Sequence, residues 1–531
     1  MKKVLFAVAP VLKIEKINDN IQNLKNIPFG ILSIASYIKS KSVEETAIKI
    51  IDLNIWRDSI SEVEMCELLK SKVVEFQPDF IGISVMFNDG YSYLNVLTEA
   101  IHTVEDRAVV VVGGVTATDM YGTILKNIEG IDAVCYGEGE IPWLNLVGAS
   151  NVYKVLSSDP SWITMESFLQ GKKPRVSFVD NLDEIPPIEY DLVDIDLYDE
   201  RLISKHLDNI KAKRKERELP IHSTRGCPFN CIFCCAATNH GKKVRAMSAE
   251  RFLGDVGTMV EKYGLTKLSI DDDQFLMNGT RAKTILRGLS DIGIRVEVPS
   301  GVNVKFLDDE IALLMKKCGM DAVTLAIESG SEYMLKEVID KPLKLEQIKP
   351  AVDILRGQGI GVRAGFVVGL PGEREEDRLD TMNLVENVGL DWSYFQVATP
   401  FIGSRLYDIC MENGYIDSTR DISKMSISYG VIRTPDFTPE YITERAYLMN
   451  LEANFVKNYN MRQHNYETAA GYFLHVASRY PTQAFAHYYL AKAYEGMGES
   501  IQTIRKHISE FRKIVESSEQ WRYYAEYFNL I

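Results

Sequence analysis

Four of the eight cysteines of this 531-residue chain, Cys227, Cys231, Cys234 and Cys235, fall within one short segment. A disulfide framework spreads its cysteines to close loops. A group this tight asks instead for one loop that turns several thiolates toward a shared metal centre, in a reducing compartment. The segment reads Arg225-Gly226-Cys227-Pro228-Phe229-Asn230-Cys231-Ile232-Phe233-Cys234-Cys235, a C-x3-C-x2-C spacing just after an apolar run at Leu219–Ser223. Three thiolates at this spacing suit one soft metal centre. A [4Fe–4S] cluster normally takes four, so a three-cysteine loop leaves one iron open to an outside ligand. Zinc would need a fourth donor; adjacent cysteines rarely converge on one tetrahedral ion, which leaves His222 or His240 for that reading. Cys235 reads as a packed thiol beside the centre.

Both flanks of the cluster alternate short apolar runs with amphipathic stretches. In residues 1–150 the candidate strands are Lys3–Ala9, Ile48–Leu53, Phe80–Val85, Val109–Val112 and Ala133–Tyr136, with helical periodicity near 29–40, 61–76, 91–105 and 119–128. This predicts a doubly wound, flavodoxin- or Rossmann-like parallel sheet. Its ligand loops lie beyond the carboxyl ends of the strands, at Met86–Gly90, Gly113–Thr118 and Gly137–Glu140. Residues 151–214 read as a linker, broken at Pro186-Pro187. It runs into a charged stretch, Lys205–Glu218, expected to be a solvated helix face. Residues 215–410 give six further β/α units, with strands predicted at Leu219–Ser223, Lys267–Asp271, Arg295–Ser300, Ala322–Ile327, Val362–Val368 and Tyr394–Val397: a partial (β/α)6 barrel. A barrel places its chemistry at the strand carboxyl ends. Residues 411–531 turn all-helical, and Tyr466–Glu499 has the length and pattern of one tetratricopeptide-like hairpin. One such unit cannot bury its own face, so it is expected to pack on the barrel or on a partner.

Sixty Lys and Arg against 74 Asp and Glu leave a net charge of −14, which excludes a protein that coats nucleic acid or anionic membrane. No apolar run reaches the roughly 18–20 residues of a membrane span. The apolar N-terminus reads as a buried first strand rather than a signal peptide. The expected location is cytoplasmic.

The C-x3-C-x2-C loop after the first strand of a β/α barrel resembles the radical S-adenosylmethionine (SAM) superfamily. Asp271-Asp272-Asp273-Gln274-Phe275, Ala326-Ile327-Glu328-Ser329-Gly330-Ser331 and Gly365-Phe366-Val367-Val368-Gly369-Leu370-Pro371-Gly372-Glu373 resemble, in order, that family's second, fourth and fifth strand ends. The resemblance implies a [4Fe–4S] cluster on Cys227, Cys231 and Cys234. It implies SAM contacts at Phe233, Asp272, Asp273, Lys305, Glu328, Ser329, Val367 and Val368. Lys305 and Arg363 are candidates to pair with SAM's carboxylate or an anionic substrate, with a structural salt bridge as the alternative.

The N-terminal half resembles the cobalamin-binding domain of B12-dependent radical SAM enzymes. The resemblance implies cobalamin contacts at Pro28, Gly30, Ser84, Met86, Phe87, Asn88, Gly113, Gly114, Val115, Thr116, Gly137, Glu138, Gly139 and Glu140. The D-x-H-x-x-G motif whose histidine ligates cobalt would fall near Asp52-Leu53-Asn54-Ile55-Trp56-Arg57, and no histidine is there. Either the domain has lost the cofactor or, as expected here, cobalamin binds without a protein histidine on cobalt, with Met86, Phe87 and Asn88 toward its lower face. Too few cysteines remain for a second cluster.

The function so implied is C-methylation of an unactivated carbon in a small-molecule or carrier-bound substrate, driven by a low-potential donor such as flavodoxin or ferredoxin. The alternative is a non-methylating rearrangement, cyclisation or ring contraction. A cluster-bearing scaffold that recruits partners through its helical tail is a third reading, and it predicts no 5′-deoxyadenosine.

Overall fold

Val109–Val112 is apolar on both faces, and the fold gives it cover on both: each of the four is at most 7% exposed. The computed structural model describes residues 1–10, 26–56, 60–198, 216–417 and 425–531. Five parallel strands alternate with helices: β1 (Lys2–Val8), α1 (Phe29–Lys41), β2 (Thr46–Asp52), α2 (Glu62–Phe76), β3 (Phe80–Ser84), α3 (Leu94–Val104), β4 (Val109–Gly113), α4 (Val115–Asn127), β5 (Ala133–Cys135) and α5 (Glu140–Val147). The sheet order is β2-β1-β3-β4-β5, extended by an antiparallel edge strand, β6, at Trp162–Ile163. At two residues, that strand carries no periodicity for sequence reading to find. It is flanked by α6 (Val152–Ser158) and α7 (Met165–Leu169), so the expected linker contains regular structure.

Alternation along the strands divides the core. Leu5, Ala7, Ile81, Ile83, Val110 and Val112 pack against α2, α3 and α4. Val4, Phe6, Phe80, Val109 and Val111 pack against α1 and α5. The sheet is therefore doubly wound, as the two-faced apolar run requires.

The second unit opens with β7 (Glu218–Ile221), β8 (Thr224–Arg225), α8 (Ala236–His240), β9 (Arg245–Ala246) and α9 (Ala249–Tyr263). It continues through β10 (Lys267–Ile270), α10 (Gly279–Ile292), β11 (Arg295–Glu297), α11 (Asp309–Lys317), β12 (Ala322–Glu328), α12 (Ile348–Gly357), β13 (Gly361–Val368), α13 (Glu375–Val388), β14 (Trp392–Val397) and α14 (Arg405–Glu412). The six barrel strands form two parallel sheets, β7-β10-β11 and β12-β13-β14, joined by a single parallel bridge between Val302 and Leu325. The third strand stops at Glu297 rather than Ser300, because Pro299 cannot donate to the ladder and Gly301, at φ 82°, turns the chain. Lys305, placed by the sequence in or just after that strand, lies exposed on a 3-10 turn at Val304–Phe306. The β8–β9 ribbon is antiparallel and stands outside the barrel sheets, flanking the cysteine loop.

The tail comprises α15 (Pro439–Leu451), α16 (Tyr459–Arg462), α17 (Tyr466–Arg479), α18 (Ala484–Met497), α19 (Ile501–Ser517) and α20 (Glu519–Tyr527). It packs on the barrel: Asn454 brackets the backbone N and O of Ser393 at 2.8 and 2.7 Å, and Trp392 of β14 stacks on Tyr472 at 5.4 Å. Val431, Ile432, Phe437, Ile442, Ala446 and Met449 join the barrel core. Of the charged stretch, Lys211, Lys213, Arg214 and Lys215 lie outside the described residues. Among the described residues no helix is long and apolar enough to cross a membrane.

Candidate functional site

The cysteine loop begins at a forced glycine. Gly226 has φ 97°, and a Cβ there would meet the Lys243 carbonyl oxygen at 2.4 Å. Its N–H donates to Asp273 Oδ2 at 3.0 Å, and the Cys227 N–H donates to the Gly241 carbonyl at 3.1 Å. Farther along, Ile232 N–H donates to the Ile339 carbonyl and its own carbonyl accepts from Leu406 N–H, tying the loop to both sides of the barrel mouth. Two sulfurs already accept hydrogen bonds, Cys227 from Gln274 Nε2 and Cys234 from Ala236 N–H, each at 3.4 Å. Burial raises the Cys227 and Cys231 thiols, the latter to about 12, so metal binding there must displace protons.

Among the described residues no three His, Cys, Asp or Glu side chains converge on a single ion. The two histidines a zinc site would draw on are engaged elsewhere. His222 is half-buried, its ring tilted against Phe29 with centroids 4.6 Å apart, and desolvation lowers its pKa to about 3. His240 Nδ1 is engaged with Glu138 at 3.0 Å. A [4Fe–4S] cluster takes one thiolate on each of three separate irons, the number that Cys227, Cys231 and Cys234 offer. Cys235 points elsewhere, its thiol donating to the Ile402 carbonyl at 3.6 Å.

The residues expected around SAM divide. Asp272 is 1% exposed and its carboxylate is spent on Ser223 N–H, Ser223 Oγ and Thr224 N–H, so it braces the barrel rather than facing a ligand. Asp273 braces the cysteine loop through Gly226. Ser329 is buried, its Oγ held between Thr381 Oγ1 and Ser331 N–H. Val368 shares the packed face of Val362, Ala364 and Phe366, whereas Val367 lies on the opposite, more open face with Arg363 and Gly365. Phe233 is half-buried beside Cys234. Exposed Lys305 has no place in this group. Glu328 ends β12 at φ 74°, where the strand register shifts, and meets a residue that sequence reading missed: Lys341, whose Nζ lies 3.1 Å from Glu328 Oε1. Lys341 acts electrostatically on Cys231 and Cys227. Thirteen residues of chain separate it from Glu328, and no motif marks it.

Between the doubly wound sheet and the barrel opens a cleft of about 1440 Å³. Pro28, Gly30, Ser84, Met86, Phe87, Gly113, Gly114, Val115, Gly137, Glu138, Gly139 and Glu140 all line it. Asn88 and Thr116 do not; they approach each other behind the loops, Thr116 Oγ1 to Asn88 Oδ1 at 3.5 Å. Gly114, at φ 103°, lets the β4–α4 turn pass so close to β3 that a Cβ would lie 2.6 Å from the Val85 carbonyl. Asn54 lines the cleft in the segment where a cobalt-ligating histidine was sought. The cleft's histidines, His222 and His240, come from the barrel side.

Glu138 and Glu140 line the cleft, but their carboxylates face the barrel. Glu138 takes Arg245 at 2.5 and 2.9 Å, Arg225 at 3.2 Å and His240; Glu140 takes Arg225 at 2.8 Å and Ser33 Oγ at 2.6 Å. Burial alone would raise the Glu138 carboxyl, yet Arg225, Arg245 and His240 hold it well below the usual carboxylate range. These two residues are domain contacts before they are cofactor contacts.

Residues 23–147 match the B12 binding domain, and residues 221–385 match the radical SAM superfamily. The chain is a radical SAM enzyme with a B12-binding domain. It is 27% identical over 420 residues to an uncharacterized methyltransferase of Pyrococcus horikoshii, covering 78% of this chain and 85% of that one. It is 27% identical over 440 residues to the cytidylyl-2-hydroxyethylphosphonate methyltransferase of Streptomyces wedmorensis, covering 77% and 79%. Its fold is similar to that of the cobalamin-dependent SAM radical enzyme OxsB with aqua-cobalamin and SAM bound, with a TM-score of 0.66, 15% identity, and coverage of 100% of this chain and 81% of that one. Its cofactors are a [4Fe–4S] cluster, SAM and cobalamin.

Proposed function

We propose that this enzyme methylates an unactivated carbon of a small-molecule substrate. One observation carries the reading: the cleft lined by the glycine loops of the B12-binding domain opens onto the strand that leads into the cysteine loop, since Arg225 lines the cleft and stands two residues before Cys227. When bound, the cluster with SAM supplies a carbon-centred radical and the corrin a transferable methyl group.

The chain's own residues supply placement. Cys227, Cys231 and Cys234 would hold the cluster, with Gln274 and the Ala236 N–H donating to its sulfurs. The open face of β13, at Gly365 and Val367, leaves room beside it: a Cβ on Gly365 would meet nothing within 4 Å. The glycine-bearing loops at Gly113–Val115 and Gly137–Gly139, with Met86 and Phe87, would hold cobalamin across the seam, with no histidine of the N-terminal domain facing cobalt. Electrons would come from a low-potential donor of the flavodoxin or ferredoxin kind.

The test is anaerobic turnover of reconstituted enzyme with methyl-13C SAM, a reductant and a small-molecule extract of the source cells. The expected result is a carbon-bound 13C methyl group in one product together with 5′-deoxyadenosine, both lost in Cys227→Ala. A radical-dependent product without label would overturn methylation in favour of rearrangement.

A further inference from the structure

The seam between the two cofactor sites is a closed network of buried charge. Arg225 divides its guanidinium between Glu138, from the loop that follows β5, and Glu140, the first residue of α5. Arg245, its partner across the β8–β9 ribbon, takes both oxygens of Glu138, is held by the Val179 and His240 carbonyls, and packs over the Phe178 ring at 4.3 Å. Arg225, Arg245, Glu138 and Glu140 are each less than a tenth exposed. The acids belong to the cobalamin domain and the guanidinium groups to the β8–β9 ribbon, whose two strands flank the cysteine loop.

Apolar contact would hold two domains together more cheaply, because removing four charges from water cancels much of the Coulombic gain. What such a network supplies is register: the planar fork of arginine satisfies two carboxylates in one orientation only. An apolar seam could slide, and a slide here would change the gap in which substrate must sit between two reacting groups.

We propose that Arg225 is a positioning residue that sets the distance between the corrin and the cluster by gripping Glu138 and Glu140 at once. The proposal rests on the reading that the cleft holds cobalamin and the loop holds the cluster. Arg225 is spent on these carboxylates, so its part is to fix one site against the other rather than to bind either group.

The experiment uses the full-length holoenzyme, loaded with iron, sulfide and cobalamin and reduced so that cobalt and cluster are both paramagnetic. Pulsed electron paramagnetic resonance then reads the distance distribution between them, alongside iron and cobalt content. Arg225→Met is expected to keep both metals and to shift and broaden that distribution. Arg225→Lys, which can reach only one carboxylate, should fall between it and the wild type. Should Arg225→Met fail to fold, Glu140→Gln removes one of the two pairs at constant size and should broaden the distribution in the same direction. A distribution in these variants identical to the wild type overturns the proposal. So does loss of cobalamin alone with the cluster intact, which would make Arg225 a cofactor contact. If the cofactor reading itself were wrong, the wild type would already lack one of the two signals.

Discussion

Lys341 Nζ lies 3.1 Å from Glu328 Oε1, with the two side chains 9% and 14% exposed, and this pair joins the end of β12 to the rim of the cysteine loop. Burial by itself would lower the lysine pKa, but Glu328 and the Cys231 thiol raise it, so the ammonium stays charged where the cluster would sit. Lys341→Met should leave Glu328 buried and unpaired, costing about 3–5 kcal/mol. Urea unfolding should show that loss, and adding Glu328→Gln should recover most of it. A double variant no more stable than Lys341→Met would mean that the two residues do not act as a pair.

The glycine at the cleft wall gives a paired comparison. Gly114→Ala demands φ 103° of an L residue and drives a Cβ into the Val85 carbonyl at 2.6 Å, whereas a Cβ on Gly30 meets nothing within 4 Å. Strain of this kind costs about 1–3 kcal/mol. Gly114→Ala should lower the melting temperature and the bound cobalamin read from its visible spectrum. Gly30→Ala should fold like the wild type and change only the cobalamin spectrum or affinity.

Much of this architecture was legible because periodicity and burial agree. Val109–Val112 announced a two-faced central strand, and apolar runs marked β12 and β13, whose residues alternate between buried and half-buried in the fold. The cysteine spacing marked the loop between β8 and α8. What stayed hidden depends on contacts between residues far apart in sequence. The family resemblance made Asp272 a ligand contact, but Ser223 and Thr224 claim it from 49 and 48 residues away. Glu138 and Glu140 lie in the expected glycine loop, yet their partners stand 85 to 107 residues downstream. Lys341 is one lysine among many until folding places it against Glu328.

Asp119, on the first turns of α4, gives the pH dependence a sign. Burial raises its carboxyl from 3.8 to about 7, against hydrogen bonds to Cys235 and Asn239, and its Oδ1 has no hydrogen-bond partner. An acid whose folded pKa exceeds its unfolded value lends stability at low pH and loses it as pH rises, here between 3.8 and about 7. At ~1.4 kcal/mol per unit the loss is a few kcal/mol at most. Asp119→Asn should therefore melt above the wild type at pH 8 and close to it at pH 5. Parallel melting curves across that range would refute the assignment.

The helical tail should be structural for the barrel. Phe473 is fully buried and stacks on Phe455, which in turn meets Trp392 of β14 edge to face. Phe473→Ala should cost about 3–5 kcal/mol. Because Trp392 and Ser393 carry the loss into the barrel, calorimetry should show barrel and tail melting in one transition at a lower temperature. Two separated transitions would mean that the tail is an independent module.

Cys234 and Cys235 are neighbours with different work. Cys235 is turned to the Ile402 carbonyl and lies against Asp119, and burial with that carboxyl raises its thiol far above the ordinary range. That carbonyl, rather than a shared metal centre, takes the Cys235 thiol. Cys234 is exposed, and its sulfur accepts the Ala236 N–H. After anaerobic reconstitution, Cys235→Ala should retain the iron and sulfide content and the visible absorbance of the wild type. Cys234→Ala should lose most of the cluster and with it SAM cleavage to 5′-deoxyadenosine. Equal loss in both variants would put Cys235 among the ligands, and the cluster would then have no open iron for SAM.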